Sequence, residues 1–74
     1  MAENITYDIK ERIGVLLKKA DGWSREVNLV AWNGGEAKYD IRDWDTKTHT
    51  KMSRGITMTL SEMRRLVKLM EGRV

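Results

Sequence analysis

Two glycine turn signals, Asp21-Gly22 and Asn33-Gly34-Gly35, separate three stretches in which side chains alternate in character along the chain. Asp-Gly and Asn-Gly accept the positive φ angles of tight primed turns, and a period-two stretch has one face to bury and one to show. From Ile5 to Leu17 the odd positions are Ile5, Tyr7, Ile9, Glu11, Ile13, Val15 and Leu17, and the even ones include Lys10, Arg12 and Gly14. This predicts a long first strand, or two collinear strands bent at Gly14, with the odd face in the core and a basic even face. A second strand from Trp23 to Trp32 sets Val27, Leu29 and Ala31 against Glu26, Asn28, Val30 and Trp32. A third, from Lys38 to Trp44, sets Tyr39 and Ile41 against Lys38, Asp40, Arg42 and Trp44.

The pattern then changes. Asp45 to Ser53 has no periodicity and reads as an exposed loop carrying Lys47, His49 and Lys51, followed by a short fourth strand from Gly55 to Thr59. Thr59-Leu60-Ser61-Glu62 has the spacing of a capping box, so a helix begins there. Met63, Leu66, Val67 and Met70 form its apolar stripe, and Gly72 is placed to end it. The expected fold class is α+β: a four-stranded antiparallel meander and one C-terminal α-helix, in a single domain over residues 1–74.

Size makes such a domain marginal by itself. The chain has 74 residues and no cysteine, which excludes disulfide staples and a zinc ribbon. By area scaling it would bury only about 62% of its unfolded surface as a monomer. One helix covers only part of one sheet face, so a homodimer through the helix and sheet is expected. The methionines at 58, 63 and 70 suit that packing as core residues.

Charge narrows the partners. The formal charge is +3, and it is uneven: residues 1–37 read −1 and residues 38–74 read +4. A basic second half favours an anionic partner. No apolar run approaches a membrane span and no export signal is present, so no membrane partner is expected, and a cytoplasmic, nucleoid-associated location is.

Enzyme signatures are absent. His49 is the sole histidine, and Ser24, Ser53 and Ser61 sit in no nucleophile motif. Asp21 with Glu36-Ala37-Lys38 has a spacing that metal-dependent nucleases use, but Glu36 lies in a glycine-rich turn that would position a ligand loosely. Asp40 and Asp43 fall on opposite faces and read as ion-pair partners of Lys38 and Arg42. The expectation is no enzyme, no metal, no cofactor and no small-molecule substrate.

A binding signature remains. There are three tryptophans and no phenylalanine. Trp32 and Trp44 end consecutive strands on the face that otherwise carries polar and basic groups. Flat rings beside Lys and Arg suit unpaired nucleic acid, since bases stack on the rings while cations meet phosphates. Core or interface packing is the other reading of these rings, and the one kept for Trp23.

Tyr39-Asp40-Ile41-Arg42-Asp43-Trp44, a polar loop, and Arg54-Gly55-Ile56-Thr57-Met58-Thr59 before an amphipathic helix resemble the transcriptional positive cofactor four (coactivator) family, in its short bacterial form. The likeness extends back through Gly14-Val15-Leu16 and Asn28-Leu29-Val30-Ala31-Trp32-Asn33-Gly34. The resemblance implies a homodimer joined largely through its helices, with curved antiparallel sheets that bind single-stranded DNA without much sequence preference. Trp32 matches the family's aromatic near the end of the second strand, Arg42 and Trp44 its arginine and aromatic, and Arg54 its basic residue before Gly-Ile. Lys38 stands for a hairpin lysine. Eukaryotic members tend to carry a lysine after the first-strand glycine; here Val15 takes that place, leaving Lys10, Arg12 or Lys18 as substitutes. The serine- and acid-rich leader of eukaryotic members is missing before Tyr7, so coactivation with a eukaryotic polymerase apparatus is not implied.

Together these features predict a sequence-non-specific single-stranded DNA-binding protein, an accessory or regulator in transcription, repair or replication. Trp32 and Trp44 would stack on bases, and Lys18, Lys38, Arg42 and Arg54 would meet phosphates. Two alternatives stand beside it: a homodimeric interaction module for an acidic protein, and a single-stranded RNA binder.

Overall fold

A computed structural model describes residues 5–74. Four strands, β1 (Tyr7–Lys18), β2 (Trp23–Trp32), β3 (Ala37–Asp45) and β4 (Ile56–Met58), precede one helix, α1 (Leu60–Met70). The strands form one antiparallel sheet in the order β1-β2-β3-β4. The turns are where glycine predicts them. Asn33 and Gly34 take φ of 51° and 73° between β2 and β3, and Gly22 takes 86° between β1 and β2. Asn33 also ties the hairpin to β1, accepting from the Thr6 amide at 2.9 Å through its side chain.

Helix α1 is fixed by its caps. The Thr59 hydroxyl accepts from the Glu62 amide at 3.1 Å, and the Glu62 carboxylate accepts from the Thr59 amide at 2.8 Å. Gly72, at φ 78°, lets the chain turn out after Met70. The start of the helix lies against the odd face of the sheet, where Leu60 and Ser61 line a shallow cavity with Leu29, Ala37 and Tyr39.

Strand β1 departs from its sequence pattern. Three register shifts against β2, after Ile9, Arg12 and Val15, insert Lys10, Ile13 and Leu16 as extra residues. Each insertion resets the alternation, so the residues opposite the even positions of β2 are Tyr7, Ile9, Arg12, Val15 and Lys18. The expectation of an odd core face along β1 is therefore corrected, and a single bend at Gly14 becomes three bulges. Arg12 and Lys18 join the even face of β2, while Ile13, Val15, Leu16 and Leu17 are all exposed.

The core is small and largely polar. Among the described residues the buried apolar side chains are Val30, Ala31 and Trp44, and they share the interior with Ser24, Glu26, Asn28, Asp40 and Asp43. No residue of α1 is buried; Leu60, Leu66, Val67, Leu69 and Met70 remain exposed. The accessible surface is 5931 Å², against roughly 4,700 Å² from the size scaling. The radius of gyration is 13.5 Å, against about 11.3 Å for a compact chain of this length. The chain leaves an apolar surface uncovered on β1 and α1.

Candidate nucleic-acid interface

The even positions of β2 and β3 face one way, and β2 pairs with β3 without a register shift, so Val30 lies opposite Lys38, Asn28 opposite Asp40, Glu26 opposite Arg42 and Ser24 opposite Trp44. Together with Trp32 at the end of β2 they make up the Trp face of the sheet. No helix covers it; a turn of the chain does.

Asp40 is the electrostatic anchor of this face. It is fully buried, and Arg42 donates to both its oxygens at 2.6 Å from Nε and Nη2. A buried carboxylate requires such a partner, and the planar guanidinium supplies two parallel hydrogen bonds. The Thr57 hydroxyl donates a further bond to Asp40 at 2.9 Å. The remaining Arg42 nitrogen, Nη1, donates to the Ser53 carbonyl at 3.3 Å. Held on three sides, the guanidinium lies over the Trp32 ring, 4.6 Å from its centroid. Arg42 is thereby committed within the fold, which revises the expectation that its guanidinium is free for a phosphate.

Gly55 explains why Arg-Gly-Ile follows the loop. A Cβ there would strike the Ile41 carbonyl and come within 2.5 Å of the Arg42 Cβ and 2.9 Å of its Nε. The absence of a side chain lets residues 53–55 pass directly over β3, so that Ser53 meets Arg42.

These contacts shape a groove of about 510 Å³ lined by Trp32, Arg42, Arg54, Met52, Thr57 and Ile5, among others. Trp32 is partly exposed, and Tyr7 flanks it at 5.8 Å with the rings inclined at 51°. Its indole N–H is buried without a hydrogen-bond partner among the described residues. Arg54 is exposed and, like Lys38 and Lys18, makes no ion pair among the described residues. The structure thus brings Trp32, Arg42 and Arg54 together. Lys38 lies on the same face beside Val30, whereas Lys18, opposite Ser24, is at the other end of β2, a path of roughly 26 Å along the strand from Trp32.

Trp44 is a correction. The alternation of β3 has it offering its ring to a base, but it is fully buried. The loop expected to be exposed folds back over it. Met52 bridges to Trp44 across the strand, and the Asp45 carboxylate gathers the turn by accepting from the Thr48, Thr50 and Lys51 amides at 3.0, 2.9 and 2.7 Å. Those bonds hold the Asp45 carboxyl well below the usual carboxylate range. The turn delivers His49 onto Trp44, its ring 4.3 Å away and 6° from parallel. Behind His49 is Glu26, which accepts from His49 Nε2 at 2.8 Å, from Ser24 at 2.5 Å and from Asn28 at 3.3 Å. Burial opposes the Glu26 charge, but these three hydrogen bonds outweigh it and hold the pKa below its ordinary value.

On the opposite face, Asp43 pairs with Arg25 at 2.8 Å and Lys19 at 3.0 Å, and not with Lys38 or Arg42 as expected. Hydrogen bonds from Arg25 and Lys19 lower its pKa to about 2. Tyr7 and His49 are partners on the Trp face that strand alternation does not reveal, and alternation places Glu26 there without showing that it holds His49. The one signal in the sequence is that His49, the sole histidine, stands in a loop with no motif around it. Among the described residues no group of three His, Cys, Asp or Glu could hold a metal ion, and no helix is long and apolar enough to cross a membrane.

With this geometry in view, comparison with known proteins gives two findings. Residues 19–69 match the family described as Transcriptional Coactivator p15 (PC4). The chain is also similar to an uncharacterized protein of Treponema pallidum (strain Nichols), with 36% identity over 61 residues, covering 82% of this chain and 71% of that one.

Proposed function

The chain belongs to the Transcriptional Coactivator p15 (PC4) family, a family of non-catalytic coactivator domains, and from that premise we propose that it is a binding protein for single-stranded DNA that acts as a homodimer. Family membership and the aromatic cluster support a nucleic-acid-binding role in general. The observation that carries the finer reading is the groove in which the partly exposed Trp32, with Arg42 on its ring, meets Arg54, which makes no ion pair among the described residues. An indole is a stacking surface for any base, each stack being worth about 1–3 kcal/mol, and such a surface is sequence-tolerant. Duplex DNA keeps its bases stacked on each other and cannot use it.

In this reading Trp32 stacks, Arg42 stiffens the stack, and Arg54 and Lys38 meet phosphates. Lys18, about 26 Å away along β2, extends the phosphate path towards the other end of the sheet. The dimer is supported by the uncovered apolar side chains of β1 and α1 and by an accessible area that exceeds the monomer expectation by roughly 1,200 Å². A cytoplasmic, nucleoid-associated setting follows from the same proposal.

The test is a tryptophan-fluorescence titration with a mixed-sequence DNA single strand of about twenty nucleotides, with its duplex and with the RNA strand of the same sequence. Strong quenching by the single strand alone supports the reading. Equal binding of strand and duplex without quenching replaces it with a docking surface for acidic proteins, and tighter binding of the RNA strand makes RNA the ligand.

A further inference from the structure

His49 and Trp44 form a pair that the fold alone does not require. The imidazole lies parallel to the indole at 4.3 Å and 6°. In its own plane it meets the Glu26 carboxylate at 2.8 Å, and because a carboxylate only accepts, the proton is on Nε2. A flat nitrogen heterocycle stacked on an indole, with an edge N–H given to a protein acceptor, has the two contacts by which proteins hold an unpaired base. Here the chain supplies the heterocycle itself.

We propose that His49 is an internal competitor for a nucleobase: it closes a second stacking site made of Trp44 and Glu26, and a single strand bound at Trp32 opens that site by displacing the imidazole. The inference rests on the single-strand reading above and deepens it.

Three features make the imidazole displaceable while the rest stays in place. The turn is anchored through Asp45 and the amides of Thr48, Thr50 and Lys51, none of which depends on the His49 ring. Beyond Glu26, the polar contacts of His49 are long: 3.5 Å from Arg12 Nη2 to Nδ1, and 3.4 Å from the Tyr7 hydroxyl to its carbonyl. His49 also sits at φ 58°, a left-handed conformation that a non-glycine residue rarely adopts, and leaving it relieves strain.

What remains behind is a site. Glu26 keeps its bonds from Ser24 to Oε2 and from Asn28 to Oε1, so its Oε1 stays aimed at the vacated position with a second lone pair open to a new donor. Every base carries an N–H on its Watson–Crick edge, and in a duplex that N–H is already engaged. The site therefore takes an unpaired base and adds to single-strand preference. The Trp44 indole N–H, buried and without a partner among the described residues, is a second donor that an acceptor on the base could meet.

His49 is the sole histidine, so its ring protons are identified without assignment in untagged protein. In the free protein the indole ring current shifts them upfield. On saturation with a twenty-nucleotide single strand, monitored separately by anisotropy of the labelled strand, that shift should disappear, and His49→Ala should bind the strand several-fold more tightly. Ring protons still shifted at saturation overturn the proposal, as does a folded His49→Ala variant that binds equally or less well. Should that variant fail to fold, the ring-proton experiment on the wild-type chain decides alone. If binding depends on Trp32 while the His49 shift persists, only the displacement of His49 is refuted. If no strand binds, the single-strand reading fails and the second site falls with it.

Discussion

The Arg42 guanidinium lies 4.6 Å from the centroid of the Trp32 ring, though the two residues come from different strands. Asp40 makes the contact possible, because two 2.6 Å bonds fix the guanidinium plane where the indole can lie beneath it. The cation is thus neutralised by a buried carboxylate and shaped into part of a platform. In the proposed single-strand reading, phosphate contacts then fall to cations that make no ion pair among the described residues, Arg54 foremost.

Arg42 and Arg54 should therefore fail differently when truncated. Arg42→Ala leaves the Asp40 charge buried and unpaired, which costs about 3–5 kcal/mol in stability. Arg54→Ala should leave the melting temperature unchanged and flatten the log-log salt dependence of single-strand binding by about 0.7, the share of one phosphate on a single strand. Thermal melts and a salt titration on both variants check this.

Gly55→Ala should disturb the groove from behind. Its Cβ meets the Ile41 carbonyl and the stem of Arg42, neither of which can move freely, so stability should fall by about 1–3 kcal/mol. Binding should weaken as residues 53–55 lift from Arg42. Denaturant unfolding and strand titration measure the two effects.

The turns, the helix cap and the strand order are legible in the sequence because each is a local signal: Asn33-Gly34 and Gly22 reach positive φ, and Thr59 with Glu62 closes its own box. The phase of β1 is not, because Lys10, Ile13 and Leu16 are extra only relative to β2, and no local pattern says where a partner strand will skip. Trp32 and Arg54 emerge as groove residues from their companions on the strands and in the Arg-Gly-Ile motif. Trp44 is misread because alternation assigns a side chain to a face without saying what covers that face. Its cover, His49, depends on a left-handed turn residue and on Glu26, far away in sequence, and period-two reasoning sees neither.

Acid should loosen the fold through Asp43. Its pKa falls to about 2 in the native state because Arg25 and Lys19 bond to the charged form, so the unfolded chain takes up a proton first as pH drops. The contribution is complete above about pH 4 and fades as pH falls towards 2. Asp43→Asn should reduce the slope of stability against pH in that window, as followed by urea unfolding at several pH values.

A charge on the helix should separate protomers. Val67 is 59% exposed in the protomer and lies on the apolar stripe of α1. Val67→Glu should halve the sedimentation-equilibrium mass, while an isolated protomer with no partner would show no change.

In the proposed reading an unpaired base stacks on Trp32. The most direct measurement is the affinity of a labelled twenty-nucleotide single strand for the wild-type chain and for Trp32→Ala, side by side at one salt concentration, with circular dichroism confirming the fold of both. The expected result is binding weaker by about 1–3 kcal/mol with the sheet and helix intact. Equal affinity in a folded Trp32→Ala variant would contradict it.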